Sequence, residues 1–271
     1  VSTILDAAVA VTEAAPADPP LLETRGLTKT FGRLTALKAQ GIVVRSGEII
    51  GVIGPNGSGK STFFNLVTGF LRPDAGEVRL AGTAIAHLAP ARIARLGIAR
   101  TFQGTRLFAG LSVLENVRAA AQLRHPSSML DAVLGTPRLR RVEAEVNAIA
   151  EEMLGLVDLR RHAGRRAGDL PYGDQRRLEL VRALATGPRL LMLDEPAAGM
   201  DAAETRRLLE LINQIRHRYR LGVIVVEHDM DLIMNLCDRI QVLAAGETVF
   251  EGAPAEVQAH PRVREVYLGH A

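Results

Sequence analysis

Gly54-Pro55-Asn56-Gly57-Ser58-Gly59-Lys60-Ser61 has the spacing G-x-x-x-x-G-K-[ST], the pattern of a loop that wraps phosphate. Its glycines let backbone N–H groups turn inward onto an anion. A helix starting behind the loop adds a positive dipole end. Lys60 is expected to reach the β- and γ-phosphates of a nucleotide, and the Ser61 hydroxyl to bind Mg²⁺. The run Glu48-Ile49-Ile50-Gly51-Val52-Ile53 before the loop has the length of a buried strand. Thr62-Phe63-Phe64-Asn65-Leu66-Val67-Thr68 after it has helical spacing and stops at Gly69. A glycine turn without a ligand is the competing reading, and this strand–loop–helix context counts against it.

Leu190-Leu191-Met192-Leu193-Asp194-Glu195 is four apolar residues running into two acids. A strand buried on both faces explains the apolar part, and the carboxylates at its end need a cation or a water. Asp194 is expected to hold Mg²⁺, directly or through water. Glu195 points to the other side and is expected to orient and polarise an attacking water. An N-cap role for Asp194 is the alternative, but Pro196 and Gly199 delay the next helix. His228 follows the apolar run 223–226 and Glu227; it is either a structural hydrogen-bonder or a group that meets the γ-phosphate. Gln103 reads as the polar end of a strand beginning at Ile98, with an amide oxygen able to ligate Mg²⁺ or a water. Phe31 is either packed core or a flat face for a purine ring, and by itself favours core.

These residues need elements to hold them. Residues 21–24 and 41–44 read as strands flanking a loop that contains Phe31-Gly32, and 77–80 as another strand. Pro90 opens a short helix ending at Gly97, and Ser112-Val113-Leu114-Glu115 is a capping box for a helix to about Leu123. Residues 138–159 have helical period, with Val142, Val146, Ile149, Met153 and Leu156 on one face. A helix runs from Gln175 to about Thr186 and a long amphipathic one over 201–220, with buried strands at 189–194, 223–226 and 240–243. Apolar β-branched runs alternating with helices imply an α/β fold with a parallel sheet covered on both faces. Ligands on such sheets sit at the strand C-terminal ends, where Lys60, Asp194, Glu195 and His228 all fall.

Of the 271 residues 47% are hydrophobic, enough for one large lobed domain. No apolar run approaches a membrane span of ~18 residues. A single cysteine, Cys237, rules out an intrachain disulfide. No Trp and 4% aromatics argue against a stacking platform for single-stranded nucleic acid. Residues 1–20 read as a mobile tail, with a short amphipathic helix at 4–11 as the minor alternative. The basic clusters at 138–141 and 160–166 read as a solvated face, or more sharply as a phospholipid or partner contact.

As an ordered set, the motifs resemble those of the ABC transporter ATPases. The phosphate loop, Thr101-Phe102-Gln103, Leu170-Pro171-Tyr172-Gly173-Asp174-Gln175-Arg176, Leu193-Asp194-Glu195-Pro196, Gly199-Met200-Asp201 and Glu227-His228-Asp229 are similar to that family's Walker A, Q-loop, signature, Walker B, D-loop and switch histidine. A narrower similarity is to the LivG-type ATPases of branched-chain amino acid uptake. It rests on Arg100-Thr101-Phe102-Gln103, Tyr172-Gly173-Asp174-Gln175-Arg176-Arg177-Leu178-Glu179, Asp194-Glu195-Pro196-Ala197-Ala198-Gly199 and Tyr267-Leu268-Gly269. ATPases of urea or amide importers and of lipopolysaccharide export share much of it.

The resemblance implies a RecA-like parallel-sheet core, an antiparallel β subdomain and an all-helical subdomain at about 104–168, all in one domain spanning 21–271. It implies ATP and Mg²⁺ as cofactors, with Glu195, His228 and Lys60 catalytic and Ser61, Gln103 and Asp194 at the metal. Nucleotide contacts fall to Phe31, Gly54, Pro55, Asn56, Gly57, Ser58, Gly59, Lys60, Ser61, Thr62, Gln103, Tyr172, Gly173, Asp174 and Asp201, which turns the expectation for Phe31 from core to adenine stacking. Two such ATPases are expected to face head to tail, each ATP lying between one phosphate loop and the other's signature. The implied partners are transmembrane permeases at the cytoplasmic face of the inner membrane, a second ABC ATPase and, through the permeases, a solute-binding protein; nucleic acid is not among them. A soluble ABC ATPase acting on nucleic acid or ribosomes would usually carry two cassettes or a coiled-coil insert, and a nucleotide kinase would have no use for residues 170–174. The usual signature serine is Pro171 here, which has neither hydroxyl nor N–H, and Asp174 stands for the usual Gln. Both are expected to weaken this half-site, Asp174 by adding negative charge near phosphate.

Overall fold

The computed structural model describes residues 19–124 and 136–268. The helix expected at 4–11 and most of the tail lie outside the described residues. Strand β1 (Leu22–Phe31) pairs antiparallel with β2 (Leu34–Val44). Both are much longer than the short apolar runs at their outer ends. The expected long loop is a tight turn at Gly32 and Arg33, and Phe31 sits in the last pair of the hairpin, opposite Leu34. The interior of this hairpin is polar and irregular in register, which hides its strand character from an apolar pattern. β1 also pairs with β4 (Ala75–Leu80), which pairs with the short β5 (Thr83–Ala84), giving a four-stranded antiparallel sheet ordered β2-β1-β4-β5.

β3 (Ile49–Ile53) starts the main sheet and runs through the phosphate loop into helix α1 (Lys60–Val67). After α2 (Pro90–Leu96) comes β6 (Ile98–Arg100). Later strands are β7 (Leu190–Asp194), β8 (Gly222–Val226), β9 (Arg239–Ala244) and β10 (Glu247–Gly252). The sheet order is β10-β9-β3-β8-β7-β6, parallel throughout except for β10, which closes one edge antiparallel to β9. Strand residues alternate between two cores, as a period of two requires. Ile49, Ile53, Leu191, Leu193, Val223 and Val225 pack on one face, and Ile50, Val52, Leu190, Met192, Ile224 and Val226 on the other. Phe63 and Phe64 of α1 are fully buried in the second core, each worth about 1.5–3 kcal/mol of burial. Gly51 of β3 is closely packed: a Cβ there would lie 3.0 Å from Cys237 Sγ and 3.2 Å from Ile233.

β6 is shorter than expected. Thr101 N–H still donates to the Met192 carbonyl at 2.9 Å, and the chain then leaves the sheet. Gln103 is therefore a loop residue rather than a strand end. Helix α3 (Val113–Ala121) begins at the expected capping box, with Glu115 N–H bonded to Ser112 Oγ and the Glu115 carboxylate back to Ser112 N–H. Helix α4 (Pro137–Leu156) is capped by Thr136 and ends a little before the periodicity does. Val113, Val117, Val146, Met153, Leu178 and Val181 belong to one cluster, so α3 and α4 pack on α5 (Tyr172–Ala185). α6 (Ala202–Tyr219) is the long amphipathic helix, with Asp201 as its N-cap. α7 (Met230–Leu236), α8 (Pro254–Ala259), α9 (Pro261–Leu268) and β10 were not legible as elements. Among the described residues no helix is long and apolar enough to cross a membrane.

Candidate nucleotide site

The phosphate loop is shaped by backbone that only glycine tolerates. Gly54 has φ 151°, and a Cβ there would lie 2.1 Å from the Leu243 carbonyl oxygen. Gly59, φ 107°, is the N-cap of α1 and offers no capping side chain, so the first N–H groups of that helix have no partner from that residue. Ser58 is buried with its Oγ unpartnered among the described residues. Its carbonyl accepts from Gly246 N–H, which pins the loop to the β9–β10 turn. Pro55, Asn56, Gly57 and Ser61 are exposed, and Thr62 is half-buried. Lys60 Nζ donates to the carbonyls of Gly54 at 2.6 Å and Pro55 at 2.9 Å. Burial pulls the Lys60 ammonium below its ordinary pKa, and the charges of Glu195 and Asp194 oppose that shift.

Asp194 ends β7 and is 8% exposed. Its Oδ2 accepts from Arg100 Nη2 at 2.8 Å, and its Oδ1 has no hydrogen-bond partner among the described residues. Glu195 is in the left-handed region at φ 47°, a rare and strained state for a long side chain. Its N–H is held by the Val226 carbonyl of β8 at 2.9 Å. Its Oε2 accepts from Gln103 Nε2 at 2.9 Å, and its Oε1 lies 3.8 Å from His228 Nδ1. The exposed His228 ring is also 3.8 Å from Glu227 Oε2. Glu227 is buried and accepts from the N–H groups of Ala197 and His228. Burial raises the Glu227 carboxyl above its usual range despite those bonds. Three separate segments, carrying Gln103, Glu195 and His228, thus converge on one carboxylate at the C-terminal edge of the sheet. Ser61 hydroxyl and Asp194 Oδ1 are hard oxygen donors of the kind Mg²⁺ takes when nucleotide phosphates and water complete its shell. No group of three or more His, Cys, Asp or Glu that could hold a metal ion occurs among the described residues.

The signature residues form a second group. Pro171 takes the N-cap position of α5 at φ −54°, ψ 152°, with no side-chain cap. The Tyr172 hydroxyl donates to the Ala198 carbonyl and accepts from Arg176 Nε, both at 3.0 Å. Gly199, φ 78°, leaves room for that ring; a Cβ there would sit 3.0 Å from it. Gly173 is buried, and a Cβ on it would lie 2.4 Å from Glu204 Oε1. Asp174 is ion-paired with Arg177 one turn along α5, so the unbalanced negative charge expected of Asp174 is locally offset. The Asp201 carboxylate accepts from Ala203 and Glu204 N–H at 2.8 Å each, and these bonds hold its pKa below the usual range. No hydrogen bond joins Tyr172, Gly173, Asp174 or Asp201 to the phosphate loop among the described residues. Phe31 belongs to neither group: it sits at the hairpin tip, 46% exposed, with Lys29 Nζ 5.6 Å from its ring. The core reading that its residue type favours is overturned by that exposure.

Two arginines were missed as site residues. Arg100 grips Asp194, and Arg176 donates to the carbonyls of Phe102 at 3.1 Å and Gln103 at 3.1 Å, fixing the loop that carries Gln103. Arg100 follows two apolar strand residues directly, and a buried arginine there needs an acid, which was the available signal.

Comparison with known proteins agrees with this geometry. The ABC transporter family model matches residues 37–198, more than half the chain, and the model for branched-chain amino acid ATP-binding cassette transporters matches residues 247–271. The high-affinity branched-chain amino acid transport ATP-binding protein LivG of Salmonella typhimurium is 42% identical over 93% of this chain and 99% of its own. The ADP conformation of an ATP-binding cassette of an ABC transporter superposes with TM-score 0.79 at 31% identity, over 93% of this chain and 99% of that one. A dimeric post-hydrolysis cassette bound to ADP and Pi superposes with TM-score 0.73 at 26% identity, over 86% and 98%. A phosphate loop on a parallel sheet, two acids ending the next strand but one, and a signature helix beside them therefore have one common origin, and the chain belongs to the ABC transporter family as an ATP-binding, ATP-hydrolysing subunit.

Proposed function

We propose that the chain energises a branched-chain amino acid transporter by hydrolysing MgATP at the cytoplasmic face of the membrane. The observation that carries the chemistry is the Glu195 carboxylate, oriented by Gln103 at 2.9 Å, flanked by His228 at 3.8 Å and held in a strained backbone by Val226. A carboxylate fixed in this way can accept a hydrogen bond from a water and aim it at the γ-phosphorus. Lys60 exchanges its bonds to the Gly54 and Pro55 carbonyls for phosphate oxygens, and the N–H groups of residues 57–62 wrap the phosphates. Ser61 and Asp194 would hold a magnesium ion, which would offset the negative charge of the nucleotide phosphates. His228 hydrogen-bonds the γ-phosphate as charge moves onto it. Phe31, exposed at its hairpin tip, stacks on adenine.

The signature residues Tyr172, Gly173 and Asp174 act on the ATP of a second cassette, and Asp201 lies in the loop between the two sites. This reading rests on their separation from the phosphate loop and on the dimeric relative. The cargo reading rests on LivG and on the match of residues 247–271. Two permeases, and through them a solute-binding protein, are the partners it requires. The test is uptake of radiolabelled leucine, isoleucine and valine in cells lacking this gene. Uptake restored by the wild-type gene and not by a Glu195→Gln gene supports the reading. Unimpaired uptake in the deletion strain rejects the cargo.

A further inference from the structure

Arg100 has a place in the site that the proposed chemistry does not use. Its side chain is 8% exposed, and that of its partner Asp194 12%. One end of the guanidinium, Nη2, donates to Asp194 Oδ2 at 2.8 Å. The other, Nη1, donates to Asn65 Oδ1 at 2.7 Å and reaches Thr68 Oγ1 at 3.5 Å. The same group lies 5.2 Å from the centre of the Phe64 ring and 4.9 Å from that of Phe102. Its Nε has no partner among the described residues.

Stability does not account for this arrangement. Taking an ion pair out of water costs about as much as the pair returns, and apolar replacements of similar volume are often neutral or better. What the pair does supply is position. Ser61 and Asn65 are four residues apart on α1 and so share a face of that helix. Arg100 spans from Asn65 to Asp194, and so sets β7's carboxylate in register with the helix that carries the Ser61 hydroxyl. A carboxylate held by one oxygen keeps a single rotamer, with Oδ1 left over.

We propose that Arg100 is a positioning residue for magnesium: it clamps Asp194 Oδ2 to α1 so that Asp194 Oδ1 and Ser61 meet the nucleotide-bound ion together. The proposal rests on Ser61 and Asp194 being the magnesium donors. Loss of such outer partners costs roughly 10–100-fold in metal affinity in other sites.

The test is titration of the full-length protein with a fluorescent ATP analogue, with and without Mg²⁺, for wild type, Arg100→Met and Arg100→Lys. Methionine keeps an apolar stem between the two phenylalanines and removes both hydrogen bonds. Lysine keeps the charge without the fork. The expected result is a wild type whose affinity rises with Mg²⁺. Arg100→Met should need roughly tenfold or more Mg²⁺ to reach half of that rise, at unchanged metal-free affinity, with Arg100→Lys between them. A wild-type response that Arg100→Met and Arg100→Lys reproduce overturns the proposal alone. Metal-free and magnesium-loaded affinity falling together also overturns it, since that marks a damaged loop. A wild type indifferent to Mg²⁺ overturns the magnesium reading, and the Arg100 proposal with it. Should Arg100→Met not fold, Asn65→Ala removes the anchor on α1 instead, and the same shift in Mg²⁺ dependence is expected.

Discussion

Replacing Pro171 with serine should tighten ATP-driven association of two cassettes. Pro171 has φ −54° and ψ 152°, close to the capping residues Ser112, at −65° and 163°, and Thr136, at −62° and 155°. Serine therefore fits without backbone movement. Its oxygen can accept from the N–H of Asp174, a cap worth about 1 kcal/mol. Giving up proline's restriction of the unfolded chain returns about 0.4–1 kcal/mol, so the stability of the isolated subunit should change little. The hydroxyl proton has a different use. Across the dimer it can donate to a γ-phosphate, a charge-assisted bond of about 1.5–3 kcal/mol. At about 1.4 kcal/mol per factor of ten, that is roughly 10–150-fold in the dimer dissociation constant for each such site. Pro171→Ala is the control, because it removes the proline and adds no hydroxyl. Sedimentation velocity with MgATP, in a Glu195→Gln background that preserves the nucleotide, reads the difference. Equal association of the serine and alanine variants would refute the reasoning from the missing donor.

Glu195→Gln by itself should keep nucleotide binding and lose most single-turnover hydrolysis, about 10²-fold or more for a group aligning the water; unchanged phosphate release removes Glu195 from the mechanism. Tyr172→Phe deletes the hydroxyl shared by Ala198 and Arg176, and should lower stability to urea by about 0.5–1.5 kcal/mol; no change would mean that the bond to Ala198 adds nothing. The Cys237 thiol is pushed up to about 12 by burial, so the thiolate is scarce at pH 8. Maleimide labelling at that pH should therefore be slow on the folded protein and fast in denaturant, and fast labelling of the native state would contradict its burial.

Much of the site was readable because its chemistry is local in sequence. The phosphate loop declares itself through glycines at Gly54, Gly57 and Gly59, and two of those positions have φ and contacts that exclude a side chain. β7 and β8 read as apolar runs because both of their faces are covered, and Asp194, Glu195 and His228 followed from where those runs stop. The hairpin of β1 and β2 is longer than its apolar runs because eight of its 21 strand residues are exposed and its register is irregular. Gln103 lies beyond its expected strand because Thr101 continues the ladder for only one bond before the chain turns away. β10 and the helices after it alternate weakly, and the motif quoted there, Tyr267-Leu268-Gly269, carries no secondary-structure signal. The partners of Arg100 and Arg176 lie 94 residues away in Asp194 and 73 in Gln103, and sequence spacing does not report which group a buried arginine meets. The charge of Asp174, by contrast, is offset by a partner close in sequence: Arg177 is one helical turn away.

The central claim, an ATPase that works with membrane permeases, is tested most directly by affinity capture of the protein from its native membrane in mild detergent, with mass spectrometry of what accompanies it. The account predicts two hydrophobic permease chains together with a second ABC ATPase. Recovery of the protein with ribosomal or DNA-bound proteins, or with no membrane chain at all, would contradict it.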